Sequence, residues 1–68
     1  MEEVRDCRGR LACIVEECTG YVETVYKGQK AGTYLPVGAT FMIERDGILT
    51  TVTRDTQVTF ITNSILTI

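Results

Sequence analysis

Phe41 and Ile43 alternate with Thr40, Met42 and Glu44, the period-two pattern of a strand that turns one face to a core. Asp46-Gly47 follows, a dipeptide suited to the two-residue type I′ turn, which holds both residues at positive φ. Closing a hairpin on that pair sets Arg45 opposite Ile48, Ile43 opposite Thr50 and Phe41 opposite Val52. The next turn is read from the same demand for a single apolar face. A three-residue loop, Arg54-Asp55-Thr56, pairs Thr53 with Gln57, Val52 with Val58 and Thr50 with Phe60. It gathers Phe41, Ile43, Ile48, Val52, Val58 and Phe60 on one side, whereas a two-residue loop would turn Val58 and Phe60 away. Residues 39–62 therefore predict a three-stranded β-meander.

Upstream, Leu11, Cys13 and Val15 alternate with Ala12, Ile14 and Glu16, which predicts a largely buried strand over 10–16. Glu17-Cys18-Thr19-Gly20 reads as a turn, and Tyr21 to Tyr26, rich in aromatic and β-branched residues, as the next strand. Lys27 to Gly32 reads as an exposed loop, and Thr33-Tyr34-Leu35 as a short strand stopped by Pro36, which cannot donate to a ladder. Asn63-Ser64 marks a break before the apolar tail Ile65-Leu66-Thr67-Ile68. No helical periodicity, internal repeat or low-complexity segment is visible. The expected fold is all-β, a small antiparallel meander forming a barrel or sandwich of five to six short strands. The expected organisation is a polar N-terminal arm over residues 1–8 and one β domain over residues 9–68.

Composition adds a size argument. A chain of 68 residues buries only about 60% of its unfolded surface, so small domains commonly lean on disulfides, a metal or oligomerisation. Met42, Leu49 and Ile61 remain on the second face of the meander, and Ile65, Leu66 and Ile68 close the chain. Exposed apolar surface of this kind marks an interface, so these six residues are the candidate oligomer contact, the chain itself being one expected partner. The start of the sequence carries no apolar signal segment and no stretch is long enough to span a membrane, so a cytoplasmic location and no membrane partner are expected. The net charge of −2 is too small to imply polyanion mimicry or strong non-specific nucleic-acid binding.

Candidate chemistry is sparse. Histidine is absent, which removes the commonest general base and metal ligand. No nucleophile–base pair is visible, and neither an enzyme nor a cofactor is expected. Cys7, Cys13 and Cys18 are spaced C-x5-C-x4-C. A structural zinc site takes four ligands, so these would need Glu17 or a second subunit to complete a shell, and free thiols are the expected state. Gly28 to Thr33 lacks the order of a phosphate-binding loop. Glu44 with Asp46, and Glu16 with Glu17, read as turn and surface carboxylates. Arg8, Arg10, Lys27 and Lys30, with Tyr21, Tyr26 and Tyr34, would make a stacking and phosphate surface for single strands if the fold gathered them. The alternative is tyrosines rimming a core among ordinary surface charges.

Several segments together resemble a family of small bacterial proteins carried on prophages and conjugative elements. They are Asp6 to Cys13, Thr19 to Glu23 with Tyr26-Lys27-Gly28, Leu35 to Gly38, and Ile43 to Gly47. The resemblance spans roughly residues 6–54. It implies a mobile-element accessory protein, a class that includes inhibitors of host defence such as anti-CRISPR proteins. The meander is also similar in pattern to the trp RNA-binding attenuation protein family, an all-β ring, but the lysine and arginine pattern with which that family reads RNA is not evident here. The expected function is therefore a non-enzymatic binding protein that docks on a protein partner. The alternative is an oligomeric single-stranded nucleic-acid-binding protein.

Overall fold

The computed structural model describes residues 1–26 and 28–67, and of Val25 and Tyr26 the backbone alone. Seven strands run through them: β1 Glu2–Arg5, β2 Leu11–Glu16, β3 Tyr21–Tyr26, β4 Gln29–Tyr34, β5 Thr40–Arg45, β6 Ile48–Arg54 and β7 Phe60–Leu66. They form two antiparallel sheets, β1-β2-β3-β4 and β5-β6-β7. The sheets face one another across a common core and share no strand pair, so no closed barrel forms among the described residues. No helix among them is long and apolar enough to cross a membrane.

The core is small and built from alternate positions. Val4, Cys13, Val15 and Val22 from the four-stranded sheet meet Val52 from the three-stranded sheet, with Leu35 closing one end. Phe41, Ile43 and Phe60 pack around its margin, together with Ala39. Because side chains alternate along a strand, burying Val52 and Ile48 sends their neighbours Thr51 and Leu49 to the opposite face.

The first hairpin of the meander follows the expected register. Arg45 lies opposite Ile48, Ile43 opposite Thr50 and Phe41 opposite Val52, and Asp46 and Gly47 take φ of 53° and 77°. The second turn does not. The expected pairs Thr53–Gln57, Val52–Val58 and Thr50–Phe60 are replaced by Thr53–Ile61, Val52–Thr62 and Thr50–Ser64. The loop is longer because Asp55 to Thr59 forms its own hydrogen-bonded structure. The Asp55 and Thr56 amides both donate to the Thr59 carbonyl, at 3.0 and 3.4 Å, and the two threonine hydroxyls meet at 2.7 Å. Val58 is thereby placed in the loop and is 61% exposed. The slip is four residues, an even number, so Phe60 still shares the face of Phe41 and Val52.

Two further expectations are corrected. The polar arm over residues 1–8 instead contains β1, whose Val4 enters the core while Glu2, Glu3 and Arg5 stay in solvent. An edge strand can carry charges along its whole open side. The loop expected over 27–32 is mostly strand, since β4 runs from Gln29 and its first residue pairs with Tyr26. With β1 added, and the short strand expected at Thr33-Tyr34-Leu35 moved and lengthened to Gln29–Tyr34, seven strands replace the five to six expected.

Arginines tie the sheets together at both ends, and Arg45 Nη1 on β5 also donates to the Leu11 carbonyl on β2 at 3.5 Å. Arg10 reaches Asp6 in the β1–β2 turn, Nε to Oδ2 at 3.3 Å, and Asp46 in the β5–β6 turn, Nη1 to Oδ2 at 3.0 Å. At the other end Arg54 donates to three backbone carbonyls: Leu35 at 2.9 Å, Gln57 at 2.9 Å and Thr19 at 3.5 Å.

Candidate docking face

On the three-stranded sheet, the face turned away from the core is a three-by-three grid fixed by register. Its rows, reading β5, β6, β7, are Thr40–Thr53–Ile61, Met42–Thr51–Asn63 and Glu44–Leu49–Ile65. Met42 is 65%, Ile61 57% and Ile65 49% exposed, with Leu49 half-buried between them. Hydroxyls and one amide fill the remaining positions, and Glu44 is the single charge. The Thr40 and Thr53 hydroxyls share a hydrogen bond at 2.8 Å. With four apolar positions and a single charge among nine, this face carries a lower desolvation cost than a charged one when another surface covers it.

Of the six expected contact residues, the fold brings Met42, Leu49, Ile61 and Ile65 together. Leu66 pairs with Ile48 and so belongs to the other face of β7. Ile68 lies outside the described residues.

The expected nucleic-acid surface is dispersed. Arg10 precedes β2, whereas Tyr21 pairs with Glu16 at that strand's far end, five residues from Leu11 or about 17 Å at ~3.3 Å per residue. Arg10 is already engaged by two carboxylates. Its guanidinium is held above its ordinary pKa, chiefly by the hydrogen bond to Asp46, against the opposing effect of burial. Arg8 sits exposed in the β1–β2 turn, its amide donating to Asp6 Oδ1. Tyr21 and Tyr34 do meet, with ring centroids 4.9 Å apart and planes tilted by 53°, and the Tyr21 ring lies over Gly32. Glu16 faces Tyr21 across the ladder and Lys30 reaches Glu23 at 3.9 Å. Carboxylates thus border the aromatic pair where a phosphate backbone would need cations. Lys27 and the Tyr26 side chain lie outside the described residues.

The Asp6 carboxylate is a structural centre. Burial pushes its pKa up, but the amides of Arg10 and Arg8 and the Arg10 guanidinium pull it down further, to below its ordinary value of 3.8. Cys7 and Cys18 are exposed free thiols in the turns that flank β2, and Cys13 is buried within it. Burial pushes the Cys13 thiol up to about 11. Among the described residues no three Cys, Asp or Glu side chains are grouped to hold a metal ion. The signal that sequence reasoning missed is Arg10 as a clamp: Asp6, Arg10 and Asp46 look like unrelated surface charges until both hairpins are closed.

No protein-family model, curated protein or solved structure matches the chain.

Proposed function

We propose that this chain is a non-enzymatic binding protein, a small two-sheet β-sandwich that works in the cytoplasm by docking its three-stranded sheet against protein. The observation that carries the reading is the solvent-facing grid, where Met42, Leu49, Ile61 and Ile65 cluster with a single charge among them. Scattered surface hydrophobes are ordinary in soluble proteins, but four large ones among uncharged hydroxyls on one face of so small a fold are suited to an interface. The likeness to prophage and conjugative-element proteins supports a role as a mobile-element accessory protein, with host-defence proteins as the targets to try first.

Site-specific photo-crosslinking tests this. A benzophenone amino acid is placed at Met42 or at Ile61, and at Tyr34 as the control, since Tyr34 is equally open (68% exposed) but lies on the other sheet. Irradiation of cells expressing the protein should give discrete protein adducts from Met42 and Ile61 and none from Tyr34. No adduct from either face residue, or the same smear from all three, would contradict the proposal.

A further inference from the structure

We propose that the surface covering this grid is a second copy of the chain, packed face to face about a two-fold axis that runs across the strands along the Met42–Thr51–Asn63 row. The inference rests on the docking reading above and names its occupant.

Glu44 occupies one corner of the grid, and neither lysine nor arginine lies on it. A partner chosen for opposite charge finds only one carboxylate to answer, whereas a second copy offers the same nearly uncharged grid. Two symmetric ways of stacking the copies keep strands aligned, as facing sheets prefer. With the axis parallel to the strands, the β5 column covers the partner's β7 column, and Glu44 is buried against Ile65. An unpaired carboxylate on an apolar side chain is heavily penalised. With the axis across the strands, each column covers its own copy with the rows reversed. Ile61 then meets Ile65, Leu49 meets Thr53, Met42 meets Met42, and Glu44 meets Thr40.

The last contact selects the second arrangement. Thr40 and Thr53 share one hydrogen bond between their hydroxyls, and a pair of hydroxyls so joined still has one O–H to donate. The corner opposite Glu44 therefore holds a donor for this carboxylate, and the two Glu44 side chains lie at opposite ends of the interface. The only charge on the face is met by hydroxyl, Ile61 is met by Ile65 and Met42 by Met42, and Leu49 packs on the Thr53 side chain.

Area sets the strength. Three strands at ~4.8 Å spacing, and six to seven residues each at ~3.3 Å, give a footprint on the order of 300 Å². That is well below the ~800 Å² per partner of a standard stable interface, so the dimer is weak and reversible.

Sedimentation equilibrium of the full chain, from about 10 µM to about 1 mM, tests the arrangement. Wild type should pass from monomer to dimer over this range. Met42→Asp, which sets two carboxylates against each other on the axis, should weaken the dimer at least about tenfold. Thr40→Lys should tighten it several-fold, because the ammonium meets the partner's Glu44, and added salt or Glu44→Gln should cancel that gain. In the rejected arrangement the same lysine meets Ile61 and weakens the dimer. Tyr34→Lys should change nothing. Circular dichroism on each variant separates loss of dimer from loss of fold. Wild type that stays monomeric to about 1 mM, or a Thr40→Lys variant that weakens the dimer, overturns the proposal. Monomeric wild type together with heavier, non-self adducts from Met42 would leave the docking reading intact and refute only the second copy. Dissociation by Tyr34→Lys and not by Met42→Asp would refute both.

Discussion

Replacing Gly20 with alanine should be among the most damaging single changes in this protein, and the structure says by how much. Gly20 sits in the β2–β3 turn at φ +79°, where an L side chain costs about 1–2 kcal/mol. The added Cβ would also run into the Arg54 guanidinium, and would stand 2.6 Å from the Leu35 carbonyl oxygen. That oxygen accepts from Arg54 Nη1 at 2.9 Å, and the adjoining Leu35 amide donates to Gly20. Making room means giving up a charge-assisted hydrogen bond, worth about 1.5–3 kcal/mol. The sum is about 2.5–5 kcal/mol, against a total stability of roughly 3–10 kcal/mol for a chain this long. Gly9 is the control, at φ +82° with nothing within 4 Å of its Cβ position, so Gly9→Ala should cost only about 1–2 kcal/mol. Urea denaturation of both variants supplies the comparison, and melting temperature should fall by ~4–8 °C per kcal/mol. Arg54→Ala in the Gly20→Ala background should be less harmful than the two changes summed, by about 1 kcal/mol, because one of the clashing groups is gone. Equal losses at Gly9 and Gly20 would show that the close approach of Arg54 and Leu35 is not what holds this end of the two sheets.

Other expectations follow from single residues. Val58→Lys should change stability by less than about 0.5 kcal/mol in urea, since Val58 is exposed in the loop, while Phe60→Ala should cost about 2 kcal/mol for a partly buried ring. Native protein should react with iodoacetamide at Cys7 and Cys18 but not at Cys13, read by peptide mass spectrometry, and Cys13→Ser should cost about 1–3 kcal/mol through a buried hydroxyl. Because the folded Cys13 thiol is raised from 9.0 to about 11, the stability it contributes is complete below the lower value and is lost as pH rises through the higher one, seen as a falling melting temperature in that window. Asp6 behaves in the opposite sense. Its folded pKa is depressed, so its contribution is complete above 3.8 and is lost as pH falls through the lower folded value. Asp6→Asn should flatten that acid limb in a melting-temperature series.

What the sequence made legible was the part governed by local rules. Asp46-Gly47 fixed one turn type, and that turn fixed six cross-strand pairs. Face assignment survived even the misplaced second turn, because parity depends only on whether a slip is even. The second turn itself was hidden by Val58 and Phe60, whose alternation continues the strand pattern into a loop closed by threonine hydroxyls. β1 was hidden because only Val4 of its four residues meets the core, and the Gln29–Gly32 part of β4 because it is exposed and shows no apolar alternation. For the candidate site, Met42, Leu49 and Ile61 could be grouped as soon as strand faces were assigned, and Ile65 joined them once β7 was seen to continue past Asn63-Ser64. The basic residues could not be sorted, because whether an arginine is free depends on contacts between elements. Arg10 meets Asp46 across 36 positions of chain, a pairing no local pattern announces.

The central claim is that the outer face of β5, β6 and β7 pairs with a second copy of the chain, and its most direct test is a dilution series followed by methyl NMR. Assigned methyl signals of Met42, Leu49, Ile61 and Ile65 should shift together with concentration along one binding curve, while those of Ile14, on the opposite sheet, stay fixed. Shifts confined to Ile14 and its neighbours, or methyl signals on β5–β7 that are invariant at every concentration, would contradict it.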